Sequence, residues 1–265
     1  NWIYRNGIID FKKMSNLPAE LIEKLEKNYQ ISTLQLDKKL IAEDGTQKYL
    51  WKTSDDKLLE SVFLPYEDEN RYSICVSSQI GCSIGCKFCA TGIDGLKRDL
   101  TTDEIIEQIL KIQIDISEEG YGNPKITNIV FMGMGEPLLN YEKVMKAVEI
   151  LNQKKGFNIG MRKITISTSG IIDKIKKLAD QNQQIGLAIS LNAPNDELRD
   201  YLMPINQKYN IGRLMEAVDY YIAKTNRRVT FEYVLMERLN DKKIHAKQLV
   251  SLLKNKLVQV NLMPV

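Results

Sequence analysis

From residue 71 onward, six β-like runs alternate with amphipathic helical segments, and no other feature restricts the fold so strongly. The runs are RYSICVSSQ (71–79), ITNIVFMG (126–133), KITISTSG (163–170), QIGLAISLN (184–192), RVTFEYVLM (228–236) and VQVNLMPV (258–265). Helical pattern separates them: from Thr101 through Ile116, over YEKVMKAVEILNQ and IIDKIKKLADQ, from Ile211 to about Lys224, and over 241–256. A polar loop is expected after Asn192. Strands separated by helices pair in parallel through right-handed crossovers. The expected fold class is α/β, an open parallel (β/α)6 barrel over residues 71–265. Ahead of it, residues 1–33 read as a small helical appendage, with Asn16 able to cap the segment after Pro18. Residues 34–70 read as a short antiparallel β extension built from STLQLD, KKLIAED, TQKYLWKTSDD and LLESVFLPY.

The strand ends are chemically richer than plain turns require. They are GMGEP (133–137), STSG (167–170), SLN (190–192) and NLMP (261–264), besides a cysteine loop after the first strand. In a parallel barrel the C-terminal strand ends share one rim, where ligands bind. Motifs far apart in sequence are therefore expected around one pocket.

Three of the four cysteines, Cys82, Cys86 and Cys89, stand as C-x3-C-x2-C in GCSIGCKFCATGIDGL (81–96). One short loop can thus present three thiolates to one inorganic centre. Structural zinc takes four protein ligands and pairs a C-x2-C with a second such unit, which this chain lacks. An iron–sulfur cluster normally takes four cysteines, so three leave one iron open to a small molecule. Clustered cysteines argue against a disulfide framework and for a reducing compartment. No apolar run is long enough to span a bilayer and no signal peptide opens the chain, so the expected location is cytoplasmic, with no membrane partner. A net charge of +3 is compatible with RNA but equally with a solvated surface. The chain begins without Met and stops at VNLMPV, and both ends read as cut.

The cysteine spacing, with Phe88 just before the last cysteine, resembles the signature of radical S-adenosylmethionine (SAM) enzymes, and with it a partial TIM barrel. CVSSQIGCSIGCKFCATG is similar to the bacterial RNA adenine methyltransferases of the RlmN/Cfr family. The resemblance implies that Cys82, Cys86 and Cys89 hold a 4Fe–4S cluster whose open iron binds SAM through its amino and carboxylate groups. It implies that Gly135 and Glu136 of GMGEP hold the SAM amino group. Ser167, Ser190, Leu191 and Asn192 match positions that contact SAM, although the family more often has His where this chain has Asn192. Glycines at 133 and 135 would let a ligand approach the backbone.

Cys75 lies seven residues before Cys82. Read from the residues alone, a lone strand cysteine is buried packing. The resemblance makes it catalytic, the thiol that forms a disulfide with a methyl-carrying cysteine and so releases the product. Glu60 in LLESVFLP is an exposed strand acid on its own pattern, and the family's proton acceptor by resemblance. The methyl-carrying cysteine, in an AACGQ-like segment, would lie beyond Val265; this form is accordingly expected to bind cluster and SAM without turnover. Pro137 points to the C2-methylating RlmN branch, because the C8-methylating Cfr branch carries Ala there. The implied partners are 23S rRNA, tRNA or both, and an external electron donor such as flavodoxin or ferredoxin, acting on a monomer. Of the basic pairs, Lys97-Arg98 is expected to meet RNA phosphates, and His245 to lie at the surface. Rival readings are a C8-methylating enzyme, another radical SAM reaction, and a non-catalytic iron–sulfur electron carrier or zinc RNA-binding module.

Overall fold

Where the chain starts, helical pattern exceeds helix. In the computed structural model, which describes residues 2–66, 71–119 and 125–264, α1 (Trp2–Asn6) is followed by a single 3-10 turn at Phe11–Lys13 and by α2 (Ala19–Asn28). Asn16 does not cap α2, which starts after Pro18 with no side-chain cap; its Oδ1 accepts instead from the Trp2 indole at 2.5 Å. The strands β1 (Gln35–Ile41), β2 (Gln47–Lys52), β3 (Leu58–Tyr66) and β4 (Arg71–Cys75) come next. Two expected runs, STLQLD and KKLIAED, merge into β1, because the register steps from Leu36–Trp51 to Lys38–Leu50 and leaves Asp37 as a bulge. Two-residue strands β5 (Gln79–Ile80) and β6 (Arg98–Asp99) bracket the cysteine loop. Then follow α3 (Thr102–Glu118), β7 (Asn128–Phe131), α4 (Tyr141–Asn152), β8 (Ile164–Thr168), α5 (Ile172–Asp180), β9 (Gly186–Ser190), α6 (Asp196–Leu202), α7 (Ile211–Thr225), β10 (Val229–Leu235), α8 (Lys243–Leu253) and β11 (Val258–Pro264). Val265, the end of the last expected run, lies outside the described residues.

The chain divides into two units, Asn1–Ser77 with Leu100–Gly133 and Glu142–Gly160, and Ser78–Asp99 with Met134–Tyr141 and Met161–Val265. In the first, β1 to β4 form an antiparallel meander and β4 pairs in parallel with β7, Ser73 opposite Asn128 and Cys75 opposite Val130. Tyr49 and Trp51 of β2 alternate with more exposed neighbours, as do Leu59 and Phe63 of β3, so one sheet face is buried. Helix α3 carries Ile105, Ile109, Ile112 and Ile116 inward. It starts on the expected capping box, with Thr101 Oγ accepting from Glu104 N at 3.2 Å and Glu104 Oε2 from Thr101 N at 2.9 Å. It is tied to the sheet by Tyr49 Oη donating to Asp115 at 2.7 Å and to the loop before β1 by Glu107, which accepts from Thr33 N and Leu34 N.

The second unit holds four parallel neighbours, β8 through β11. β8 and β9 are buried almost throughout, the pattern of strands covered on both faces, whereas β11 is largely exposed. All six expected runs are thus strands, and within each unit consecutive ones run parallel. The expected polar loop after Asn192 is corrected: it folds into α6 and a 3-10 turn at Pro204–Gln207. Asn195 nucleates this helix, its Oδ1 accepting from Leu198 N at 3.0 Å. Leu198 and Leu202 pack it against Ala193 and Met203, and a wholly buried guanidinium, Arg199, fastens it from the polar side.

Candidate active site

The cysteine loop belongs to the second unit. Pairing of β5 with β6 closes its neck, helped by Lys97 N donating to Ile80 O at 2.9 Å. Inside it, Cys89 N donates to Cys86 O at 3.1 Å, and Lys87 N reaches Leu202 O at 3.0 Å. Cys86 packs against Ala193, Leu202 and Met203, just beyond the SLN strand end. All three cysteines are free and half-buried. Burial first, then the nearby Cys89 and Cys82, pushes the Cys86 thiol up to about 12, with Arg199 opposing the rise. Burial also pushes Cys82 up. Thiols held this way release protons when a metal binds. Among the described residues no three His, Cys, Asp or Glu side chains are arranged to hold a metal ion. Three thiols on one short loop suit the corners of an iron–sulfur cluster that leaves one iron without a protein ligand.

Glu136 is 3% exposed. Its Oε2 accepts from Ser169 N at 2.6 Å and Ser169 Oγ at 2.7 Å, and its Oε1 from Leu138 N at 3.1 Å. Burial raises its carboxyl above the ordinary range against the pull of these donors. The acid thereby ties GMGEP to STSG. Gly135, at φ +94, is required by the chain itself: a Cβ would stand 2.5 Å from Gln79 Cβ and 2.8 Å from Gln79 N. Gln79 in turn accepts from Glu136 N at 2.8 Å and donates to Asp99 at 2.7 Å. In the first unit, a Cβ on Gly133 would meet Val76 C and O at 2.8 Å. At both glycines the space a Cβ would need is taken by neighbouring atoms, Gln79 at Gly135 and Val76 and Ser77 at Gly133.

Ser167 and Ser190 stand at the ends of β8 and β9, and neither hydroxyl has a hydrogen-bond partner among the described residues. Asn192 adopts φ +55, a left-handed conformation that Asn tolerates far better than bulkier residues. Its Oδ1 accepts from Val234 N at 2.9 Å, and its main-chain O accepts from Asn240 Nδ2 at 2.9 Å. The side chain is thus used to hold β9 against the end of β10. Sequence reasoning passed over Arg199, which is wholly buried. Its Nη2 donates to Ser169 O at 2.6 Å and Ser190 O at 3.3 Å, its Nε to Leu191 O at 3.2 Å and its Nη1 to Asn206 Oδ1 at 2.9 Å. Glu136, Ser169 and Arg199 therefore form one polar network joining GMGEP, STSG and SLN, with the cysteine loop seated beside it. Nothing in the local pattern distinguishes this arginine from a solvated one.

Cys75 and Glu60 lie in the first unit, on adjacent strands. Val62 pairs opposite Cys75 and Leu50 opposite Glu60; by alternation, Glu60 and Cys75 face the same side of the sheet. Glu60 Oε1 is 2.8 Å from Lys48 Nζ, and Glu60 O accepts from Ser77 Oγ at 2.5 Å. Cys75 is half-buried, and burial pushes its thiol up to about 11. Lys97 is exposed, its Nζ donating to Asp94 O at 2.8 Å. His245 is half-buried and accepts from Lys242 N at the start of α8. No helix among the described residues is long and apolar enough to cross a membrane.

Residues 76–248 match the family model described as the radical SAM superfamily. The chain is 47% identical over 264 residues to a "probable dual-specificity RNA methyltransferase RlmN" of Dictyoglomus thermophilum, covering 100% of this chain and 74% of that protein. A protein of the same description from Clostridium botulinum (strain Alaska E43 / Type E3) is 50% identical over 266 residues, again across 100% of this chain and 74% of the relative. Among solved structures, a radical SAM methyltransferase from Sphaerobacter thermophilus superposes with a TM-score of 0.93 at 44% identity, over 98% of this chain and 75% of that one.

Proposed function

The chain belongs to the radical SAM superfamily and, within it, to the RlmN family of dual-specificity RNA methyltransferases, and from that premise we propose that it methylates C2 of an adenine in 23S rRNA and in tRNA. One observation carries the assignment of the site. Cys82, Cys86 and Cys89 share a unit with Glu136, Ser167, Ser190, Leu191 and Asn192, and a continuous polar network links the strand ends among them.

Cys82, Cys86 and Cys89 would hold the 4Fe–4S cluster. When bound, cluster and SAM supply a 5′-deoxyadenosyl radical after one-electron reduction. Glu136, held by Ser169, Thr168 and Leu138, would meet the SAM ammonium with the acceptor capacity these donors leave. The hydroxyls of Ser167 and Ser190 are free to meet ribose or carboxylate oxygens. Gly135, Leu191 and Asn192 act through the backbone shape they impose on the rim. Glu60 takes the proton that leaves the adenine carbon, held in place by Lys48. Cys75 keeps its proton at neutral pH and becomes a nucleophile only when a base removes it, which delays disulfide formation until the base is ready. With all four cysteines so assigned, the methyl-carrying cysteine of this chemistry is not among residues 1–265. Pro137 favours C2 over C8. Reaching a stacked adenine requires flipping it outward. The reading places the enzyme in the cytoplasm as a monomer fed by flavodoxin or ferredoxin, with residues 1–33 as an RNA-side accessory, 34–70 as a β extension and 71–265 as the core.

Anaerobic reconstitution of the chain tests the cofactor site. Four irons per chain and an electron paramagnetic resonance signal perturbed by SAM are expected; stoichiometric zinc without iron refutes it. Mass mapping of 23S rRNA and tRNA from cells with and without the gene tests the product. A gene-dependent methyl on C8, or none on either RNA, overturns the C2 assignment.

A further inference from the structure

Arg199 is the one basic side chain fully buried among the described residues, and none of its hydrogen bonds goes to a carboxylate. Three carbonyls and an amide oxygen satisfy four of its five N–H groups without cancelling its charge. A buried cation left uncompensated is costly. The cysteine loop is seated on the same helix: Cys86 packs against Leu202 and Met203, and Lys87 N donates to Leu202 O at 3.0 Å, three residues on from Arg199. The helix's Asp196 and Asp200 are exposed to solvent, so on its inner side Arg199 faces the loop whose thiols would carry the negative charge of a bound cluster.

We propose that Arg199 is a positioning residue with two jobs: it holds the main-chain ends of β8 and β9 in the geometry that receives SAM, and its charge raises the reduction potential of the cluster held by Cys82, Cys86 and Cys89. This rests on the assignment of those thiols as cluster ligands. A fixed cation beside the cluster stabilises the form carrying one more electron, which makes reduction by a weak one-electron donor easier. A planar fork is needed as well as a charge, because Nη2 and Nε serve carbonyls of two different strands at once.

The test is redox titration of the reconstituted chain, followed by electron paramagnetic resonance, with iron content and SAM binding measured on the same samples. Arg199→Gln is expected to retain iron, to lower the ratio of reduced to oxidised cluster about tenfold at a fixed potential (about 59 mV for a one-electron couple), and to weaken SAM binding. Arg199→Lys keeps the charge and loses the fork, so its potential stays near wild type while SAM affinity falls about tenfold, the loss of one charge-assisted hydrogen bond. Asp200→Asn, an exposed isosteric change that keeps an acceptor for Asn206 Nδ2, removes a negative charge that offsets Arg199. Its potential is expected to rise, and it decides the matter if the Arg199 variants do not fold. A folded, iron-loaded Arg199→Gln with an unmoved potential overturns the proposal, as does an Asp200→Asn potential that is unchanged or lower. A wild-type chain without a four-iron cluster overturns the site assignment itself, and is distinguished by the iron content.

Discussion

Replacing Gly135 with Ala tests whether the rim is set by the chain's own packing. At φ +94 an added Cβ meets Gln79 Cβ at 2.5 Å and Gln79 N at 2.8 Å. The second contact is with backbone and cannot be relieved by a rotamer change. The left-handed conformation costs an L residue about 1–2 kcal/mol, and forcing a methyl into filled space about 1–3 kcal/mol. Together these give about 2–5 kcal/mol, or roughly 4–20 °C in Tm at about 2–4 °C per kcal/mol for a chain of this size. Two other glycines separate the contributions. Gly95, at φ +65 with nothing within 4 Å of an added Cβ, should show the conformational cost alone, about 1–2 kcal/mol. Gly160 also has open space and no positive φ, so Ala there should be neutral or stabilise by up to about 1 kcal/mol. Thermal unfolding of the three variants reads the order directly. Because Gln79 also accepts from Glu136 N, Gly135→Ala alone should weaken SAM binding through the displaced acid. If it unfolds no earlier than Gly95→Ala, the close approach to Gln79 is not what requires glycine, and the account of the GMGEP turn fails.

Three further outcomes follow from the geometry. In a chain whose only cysteine is Cys75, with Ser at 82, 86 and 89, alkylation followed by mass spectrometry should be slow at pH 8 and still rise about tenfold per pH unit to pH 10, because burial holds the thiol near 11; a plateau below pH 9 would contradict this. The same shift has a stability consequence: a folded-state value raised above the unfolded one contributes stability fully present below about pH 9 and lost as pH climbs to about 11, so Cys75→Ala should show a shallower alkaline decline than wild type. Glu60→Gln should cost under about 1 kcal/mol in unfolding free energy, since Glu60 and Lys48 form a half-exposed pair, while abolishing adenine methylation in cells carrying the gene; a large stability loss with methylation intact would assign it a structural role.

What could be read from the residues is what depends on near neighbours. The capping box needs only Thr101 and Glu104, three positions apart, and it forms. The six strands follow from runs of β-branched residues between helical periods, and they form too. Helix α6 escaped because DELRDYL is short and mostly charged; its cap at Asn195 is legible, but its buried residues are Arg199 and Leu202, an arginine beside the apolar one. That arginine reaches Ser169, thirty residues away, just as both Ser169 donors on Glu136 arrive from a strand end thirty-three residues on. No spacing rule reaches across such distances, and family resemblance, which supplied roles for Glu60 and Cys75, does not single out Arg199 either.

Asn192 shows the limit from the other side. Its departure from the family's usual His looks like a weakened cofactor contact when read as a motif. In the fold the position sits at φ +55 and its Oδ1 accepts from Val234 N, so its place in a left-handed turn is accounted for by the chain itself. The distinction is measurable. If the turn is what matters, Asn192→Gly, which accepts the same φ, should keep much of the SAM affinity and lose stability by about the worth of one buried hydrogen bond, about 1–3 kcal/mol. If the side chain contacts SAM directly, Asn192→Gly should instead lose affinity out of proportion to stability. On the proposed reading, a rim whose side chains mostly hold the backbone would leave specificity for SAM to the hydroxyls of Ser167 and Ser190 and to the shape those occupied residues maintain.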